Sequence, residues 1–481
     1  MSIKTPIQDF LISHAKLNPI SFHMPGHKGS AIYKRFGCNE FLENYMDCDI
    51  TEIIGADNLF QAEGILQEAQ DAYAELYDSK KSYLLVNGTS GGIIAAILAS
   101  VPKGKKLIMA RNCHKSVFNA LTLADIQPIY AYPELNQEYG ISGAIPPEEI
   151  EALLKNNPEA EAVILPSPNY YGICSDIETI AEIVHKYNKI LIVDQAHGAH
   201  LKMFSKFGVQ GLPKSAEESG ADIVINSTHK TLASYTQSAI LNLNSDRISP
   251  YVIEDKLQCI ESTSPSYILM ASLDINAGIL KNHGHLLMKE WVDHLNYFYE
   301  EAKKIEGLEF IGKVPGIDWT KINFSFGRIG ITGDELENML LEYNIFIELY
   351  TGDLVMCMTG IGNTKADLER LVKALKEISE SRHKNSANEK DLCKKEDANK
   401  HLAFRRSTLY EIPKDKIRVP LLDAAGLICA SSVIPYPPGI PLVCPGEKFD
   451  KETLLYIKTL RENKEKVIGV NALEEVIVGA E

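Results

Sequence analysis

Lys230 and Asp194 are the two residues whose types and placement could do chemistry together. Lys230 closes the run Ser227-Thr228-His229-Lys230, which follows the strand-forming segment Ala221-Asp222-Ile223-Val224-Ile225-Asn226. Asp194 ends a second such segment, Lys189-Ile190-Leu191-Ile192-Val193, 36 positions earlier. A desolvated ammonium is costly, so a lysine at a strand end is paired, reactive or solvated at an edge. An aspartate and a lysine at strand ends are what a pyridoxal phosphate site needs. The lysine forms the Schiff base, and the aspartate keeps the pyridinium nitrogen protonated. Either residue alone carries little weight, so the other parts of such a site must be sought.

A phosphate needs free backbone N–H groups. Tyr83-Leu84-Leu85-Val86 reads as a strand, Asn87-Gly88-Thr89-Ser90-Gly91-Gly92 as a turn, and Ile93 to Ala99 as an apolar helix. A Gly/Ser/Thr turn entering a helix N-terminus can cradle an anion. It lacks the Gly-Lys-Ser/Thr ending of a Walker loop, and a turn that merely needs glycine remains the alternative. The strand Leu107-Ile108-Met109-Ala110 ends in Arg111-Asn112-Cys113-His114-Lys115-Ser116. There the flat ring of His114 could stack on a cofactor ring or simply be hydrogen-bonded. Ala162-Val163-Ile164-Leu165 ends in Pro166-Ser167-Pro168-Asn169-Tyr170-Tyr171-Gly172, and Ser175 to Glu178 has the spacing of a capping box. His197 and His200, after Asp194, are three apart, a spacing also used for metals. No third ligand cluster accompanies them, so no metal site is expected.

The elements that position these residues form a pattern. Strand, polar tip and helix recur near residues 83, 107, 162, 189 and 221. That alternation predicts a parallel sheet with helices on both faces, binding ligands at the strands' carboxyl ends. Every motif above falls at such an end. Upstream, residues 7–17 read as an amphipathic helix with Ile7, Phe10, Leu11 and Leu17 on one face. Phe22-His23-Met24-Pro25-Gly26-His27-Lys28-Gly29 is a turn that either binds an anion or is a solvated arm. The acids between Asp47 and Glu63 form either a lip for a cationic substrate or a solvated loop. Residues 286–380 fit a second, smaller α/β domain. Its last helix, Lys365 to Ser379, buries Leu368, Leu371, Val372, Leu375 and Ile378, and Arg370 on it could clamp a substrate carboxylate. Residues 381–400 read as a polar linker and 401–481 as a C-terminal domain. The loop from Pro435 to Glu447 carries five prolines and should be stiff and extended.

The 481 residues are 45% hydrophobic and 23% charged, with a net charge of −15. That suits a multidomain globular protein and argues against non-specific nucleic-acid binding. The nine cysteines are scattered, none in a C-x-x-C pair, which predicts free thiols in a reducing, cytoplasmic setting. Residues 1–18 lack the pattern of a signal peptide, and no apolar run reaches the length of a membrane span.

Taken together, these stretches resemble the Orn/Lys/Arg decarboxylase family, similar to its shorter bacterial members, arginine decarboxylases among them. The matching segments are His23–Lys28, Asn87–Gly91, Arg111–Ser116, Asp194–Gly198, Ser227–Lys230, Ser262–Tyr267 and Pro435–Pro441. The resemblance implies an α/β protein. Residues 1–285 would form an N-terminal arm and a fold-type I (aspartate-aminotransferase-like) large domain, followed by the small α/β domain, the linker and a C-terminal α+β domain. It implies pyridoxal 5'-phosphate as cofactor, with Lys230, His229 and His114 in catalytic roles. Thr89, Ser90, His114, Asp194, His197, Ser227, His229 and Lys230 would bind the cofactor, and Ser262 would reach the phosphate of a neighbouring subunit in a homodimer or larger homo-oligomer. The implied reaction removes the α-carboxylate of a basic amino acid, arginine ahead of lysine and ornithine, giving CO2 and agmatine or a diamine. His229 or Lys230 would return the proton. The Pro435–Pro441 loop would lie near an active site, and Glu447 is a candidate for the substrate's basic end. Where the family often has Pro-Thr-Tyr, this chain has Pro168-Asn169-Tyr170, so Asn169 would donate to the ring hydroxyl instead. An aminotransferase on the same fold and an inactive cofactor-binding regulatory homologue are the alternatives.

Overall fold

The computed structural model describes residues 5–385, 405–436, 441–463 and 465–480. Seven strands form the central sheet: β1 (Lys81–Leu85), β2 (Lys106–Ala110), β3 (Gln127–Ala131), β4 (Ala160–Pro166), β5 (Ile190–Asp194), β6 (Ile223–Asn226) and β7 (Ala239–Leu243). Their spatial order is β1-β7-β6-β5-β4-β2-β3. The run from β6 to β3 pairs in parallel, as the alternation predicts. β7 runs antiparallel to both β1 and β6, so the sheet is mixed. The connection from β6 to β7 holds the Lys230 turn instead of a crossover helix, and without a crossover the chain returns antiparallel. β3 was not expected, because Pro128 breaks its pattern; at the sheet edge a missing N–H is tolerated.

Side chains on both faces of the sheet are buried, which is why its strands read as continuous apolar runs. One face is covered by α2 (Gly88–Ser100), α3 (Lys115–Ala124), α4 (Ile177–Lys186) and α5 (Pro250–Ile260), through Ile93, Ile97, Val117, Ile180, Val184 and Ile253. The other face packs Leu84, Val86 and Ile240 against Tyr73, Met203 and the long helix α6 (Tyr267–Ala302). α2 starts at Gly88, so the glycine-rich stretch is the helix's first turn. A β-carbon at Gly92 would stand 2.5 Å from Leu85 Cδ1, so only glycine lets the helix sit this close to the sheet. The cap of α4 also differs from expectation. Asp176, not Ser175, accepts the N–H of Thr179 at 3.1 Å, while Ser175 Oγ accepts the N–H of Ile145 at 2.9 Å.

A second, antiparallel sheet has the order β8-β9-β11-β10, from β8 (Glu309–Ile311), β9 (Lys321–Ser325), β10 (Leu349–Thr351) and β11 (Leu354–Met358). It shares its core with α6 and α7 (Lys365–Asn385), whose Leu368, Leu371, Val372, Leu375 and Ile378 are buried as their spacing predicts. α6 runs unbroken across the expected boundary at 285/286. α7 continues into the expected linker, whose remainder, 386–400, lies outside the described residues.

The C-terminal part has its own core. β12 (Lys416–Pro420) pairs with β15 (Glu475–Gly479), and β13 (Ile434–Tyr436) with β14 (Lys466–Ile468). α8 (Lys451–Glu462) packs beside them through Leu454 and Ile457. Residues 437–440 of the proline-rich loop lie outside the described residues.

The N-terminal arm is not solvated throughout. Phe22 is buried, and Ile20 and Ser21 pair with Ile345 and Phe346. The N–H of Gly26 donates to the His229 carbonyl at 2.7 Å, and the N–H of Gly362 donates to the Gly26 carbonyl at 3.0 Å. A β-carbon at Gly26 would meet Thr231 at 2.4 Å, so the arm threads beside the Lys230 turn only because that residue is glycine. By contrast, α1 (Pro6–Lys16) buries none of its residues. Ile7, Phe10 and Leu11, with Leu17 just beyond, are exposed.

Candidate active site

The strand tips bring the predicted residues together. After β6, Ser227 caps a single helical turn, Thr228–Thr231, which holds Lys230 at the sheet's carboxyl edge. Lys230 Nζ stands 2.8 Å from His197 Nε2 and 5.9 Å from the Tyr170 ring centroid. The rings of Tyr170 and His197 are 4.3 Å apart. Burial lowers the Lys230 ammonium to about 8, although Asp194 and Glu348 pull it back up. At neutral pH the group therefore keeps a proton but releases it readily. Asp194, at the end of β5, is 6% exposed. Its Oδ1 accepts the Ala196 N–H at 3.1 Å. Burial raises this carboxyl, opposed by Lys230 and the Ala196 hydrogen bond.

The cradle forms between two helix starts. Asn87 caps α2, leaving the first-turn N–H groups of Gly88, Thr89 and Ser90 without helical acceptors. Thr89 Oγ1 and Ser227 Oγ lie 3.1 Å apart, so two hydroxyls converge where the two turns begin. Gly88 has φ +69°, a left-handed conformation that favours glycine.

Three histidines surround this hollow, all held neutral. His114 caps α3, its Nδ1 accepting the Ser116 N–H at 3.3 Å. His114 is exposed, so its ring is accessible to a planar ligand. Desolvation, then Lys230 and Lys115, lowers the ring to about 4. His229 is also lowered to about 4, chiefly by burial, with its Nδ1 2.8 Å from the Ser238 carbonyl. His197 is driven well below the ordinary imidazole value by burial and Lys230. Its Nδ1 is buried and has no hydrogen-bond partner.

Some residues at the site have no sequence signature. Glu348, just before β10, accepts the Tyr170 hydroxyl at 3.0 Å and the Met24 N–H at 3.0 Å. It thereby ties the second sheet and the N-terminal arm to the ring beside Lys230. Beneath them lies a buried ionic group. Asp318 binds His200 Nε2 at 3.1 Å and also Lys321, whose Nζ donates to the His197 carbonyl at 2.7 Å. His200 Nδ1 stands 3.1 Å from Thr231 Oγ1, next to Lys230. Burial works against the Asp318 carboxylate, but His200 and Lys321 more than offset it and hold it far below its usual range. The sequence hints to these are the His197–His200 spacing and a lone Glu348 after the apolar run Ile345-Phe346-Ile347.

The remaining candidates stand in varied surroundings, and several are corrected. Glu447 does not present a free carboxylate to a substrate. Both its oxygens bind the buried Arg111, Oε1 to Nε and Oε2 to Nη2, each at 2.8 Å. Asn169 is not free to donate to a cofactor. Its Nδ2 donates to the Ser142 carbonyl at 2.8 Å, and its Oδ1 accepts the N–H groups of Tyr171 and Ile173, each at 3.0 Å. Arg370 is exposed and donates to the Tyr343 carbonyl at 3.1 Å, so it clamps nothing in the hollow. Lys28 of the arm donates to the His23 carbonyl and to the Met358 carbonyl at 3.1 Å, in place of an anion. Asp57 accepts four backbone N–H groups of its own loop, between 2.8 and 3.2 Å, so this acid shapes the loop. Ser262 is exposed, its Oγ accepting the Ser264 N–H at 3.2 Å. Among the described residues no cluster of three or more His, Cys, Asp or Glu side chains could hold a metal ion, and no helix is long and apolar enough to cross a membrane.

Known proteins resemble this chain over nearly its whole length. The family model described as "Orn/Lys/Arg decarboxylase, major domain" matches residues 5–314, and its "C-terminal domain" counterpart matches 390–474. The arginine decarboxylase of Bacillus subtilis is 34% identical over 94% of this chain and 93% of its own length. The arginine decarboxylase of Halalkalibacterium halodurans is 32% identical over 98% of this chain and 96% of its own. The crystal structure of the Francisella novicida lysine decarboxylase superposes with a TM-score of 0.75 at 21% identity, covering 94% of this chain and 78% of that one. The chain belongs to the Orn/Lys/Arg decarboxylase family.

Proposed function

We propose that this protein removes the α-carboxylate of a basic amino acid, arginine first, with pyridoxal phosphate as its cofactor. The observation that carries the reading is the meeting of Lys230, Asp194 and the Thr89–Ser227 pair at three strand tips of one sheet. The donor set fits such a cofactor. Free N–H groups and two hydroxyls suit a phosphate. A buried carboxylate with one oxygen left over suits a ring nitrogen, and a half-buried, easily deprotonated amine suits an aldehyde. When bound, pyridoxal phosphate supplies an electron sink for the pair left behind by CO2.

The chain's own residues do the rest. Thr89, Ser90 and Ser227 would hold the phosphate, and Asp194 would keep a proton on the ring nitrogen. His114 offers a flat, neutral ring, and His197 faces Lys230 Nζ. Burial lowers His229 to about 4 and Lys230 to about 8, so an amine proton is the more available of the two near neutrality, which favours Lys230 Nζ as the group that returns the proton to the α-carbon. Ser262, exposed on its own chain, would serve the cradle of a second copy, which would make the working unit a homodimer or larger homo-oligomer, and the free thiols suit a cytoplasmic setting. The identity to two arginine decarboxylases over nearly the whole chain favours arginine. An aminotransferase would need a carboxylate clamp, and Arg370 is turned away from the site.

The test is to incubate cofactor-loaded protein separately with arginine, lysine and ornithine, measuring CO2 and amine. Arginine is expected to give agmatine and CO2 in equal amounts. Keto acid without CO2 would replace this reading with the aminotransferase. The Asp194→Ala variant is expected to retain some cofactor but lose on the order of 10²–10⁴-fold in turnover, since the sink weakens without the ring proton. Unchanged turnover would remove Asp194 from its role.

A further inference from the structure

Glu261 is a buried acid that the proposed reaction does not use. It directly follows α5 and is 6% exposed. Its Oε2 accepts the N–H of Val86 at 3.3 Å and of Asn87 at 3.0 Å. Asn87 is the cap of α2, so this carboxyl braces the segment on which the cradle begins. Its Oε1 is fully enclosed and has no hydrogen-bond partner. A β-carbon at Gly91 would stand 3.1 Å from Oε1, which places that oxygen against the first turn of α2.

An enclosed oxygen without a partner is costly for an ionised carboxylate, and no counter-charge relieves it. On α5, Glu254 is taken by Lys81 at 2.6 Å and by the Tyr83 hydroxyl at 3.0 Å, both from β1. Asp255 pairs with Lys256 at 2.6 Å, and Cys259 is exposed. α2 and β7 carry no titratable side chain. The turn after β6 brings His229 and Lys230, neither of which shifts Glu261. Burial raises its carboxyl to about 7, against the pull of the two N–H bonds.

We propose that Glu261 is a positioning residue for the phosphate end of the cofactor: it braces the cradle through the Val86 and Asn87 N–H groups, and when it loses its proton its charge weakens the hold on the phosphate. This rests on the cofactor reading given above. An ionised Glu261 and a phosphate dianion repel each other across the start of α2. Affinity for the cofactor therefore falls as pH rises through the value at which Glu261 ionises. By linkage, phosphate binding draws a proton from solvent onto the carboxyl.

The experiment measures the dissociation constants of pyridoxal phosphate and of pyridoxal, which has no phosphate, for the wild type and Glu261→Gln. The glutamine keeps an acceptor for the Val86 and Asn87 N–H groups but cannot ionise. Near about pH 6 the two proteins should bind pyridoxal phosphate alike. Near about pH 8.5 the wild type should bind it about tenfold more weakly than the variant, the equivalent of one pKa unit of mutual shift. Pyridoxal should not distinguish them. Should the variant not fold, calorimetry on the wild type in buffers of different ionisation enthalpy reads the same linkage. Near neutral pH, pyridoxal phosphate should take up a fraction of a proton more than pyridoxal does. Parallel pH dependences, a difference that persists with pyridoxal, or no extra proton uptake would each overturn the role of Glu261 and leave the cofactor reading standing. Failure of the wild type to bind pyridoxal phosphate at any pH would overturn both.

Discussion

Lys230→Ala is expected to lower CO2 release by on the order of 10⁴-fold or more, because no other amine takes its place as nucleophile and proton donor. The visible absorbance of covalently held cofactor should vanish with it. The same change should leave the protein as stable as before, or more so. Lys230 is held in a site that lowers its ammonium to about 8, so the folded state carries the cost of keeping it there. Removing it releases that cost and gives up the 2.8 Å contact with His197 and the attraction to Asp194 and Glu348, which together do not outweigh it, since the net shift of the ammonium is downward. Activity would then be lost with no loss in thermal midpoint, which separates a chemical role from a structural one. A variant that retained both the absorbance and CO2 release would end the assignment.

Arg111→Met should have the largest effect on stability. The guanidinium is 2% exposed and binds both oxygens of Glu447, itself 4% exposed in its side chain. It also donates to the Pro441 carbonyl at 2.7 Å and the Leu442 carbonyl at 3.2 Å. Tyr130 adds a hydrogen bond from its hydroxyl to the Pro445 carbonyl at 2.9 Å. Breaking one side of a buried pair leaves the other charge uncompensated, at a cost of about 3–5 kcal/mol. Denaturant unfolding should show this as an earlier transition of the C-terminal part. Adding Glu447→Met to Arg111→Met should restore much of the loss, since two apolar side chains of similar size can replace a buried pair. If the double variant were as unstable as the single, shape and not charge would hold the two parts together.

The fold was readable wherever neighbouring residues speak for themselves. The strands ending at Asp194 and before Ser227 are apolar runs with polar tips, and their parallel pairing follows from the helices between them. The reversal of β7 was not readable, because nothing in Ala239-Ile240-Leu241-Asn242-Leu243 reports direction. At the site, Lys230, Asp194, Thr89, Ser227 and His114 each stand in a local motif. Glu348, Asp318 and Lys321 do not, and the motifs that hold His200 and Arg111 say nothing of what those two bind. Their meaning lies in partners far along the chain: Arg111 and Glu447 are 336 residues apart. Glu447 shows the hazard plainly. An acid in a proline-rich loop looked free for a substrate until its partner, at the tip of β2, was in view.

The N-terminal arm has a consequence for biosynthesis. Met24 finds its acceptor on Glu348, 324 residues later, and Lys28 finds one on Met358, 330 residues later. A ribosome releases the arm's sequence well before Glu348 and Met358, which receive it more than 300 residues later. Until then the His23–Lys28 stretch has only the Lys230 turn, through Gly26 and the His229 carbonyl, to hold it, and the wall it builds beside Lys230 is incomplete. Nascent chains truncated before Ile345 should therefore leave the arm open to protease, while chains released beyond Asn363 should protect it. The catalytic hollow would thus close late, by capture of the segment that was synthesised first.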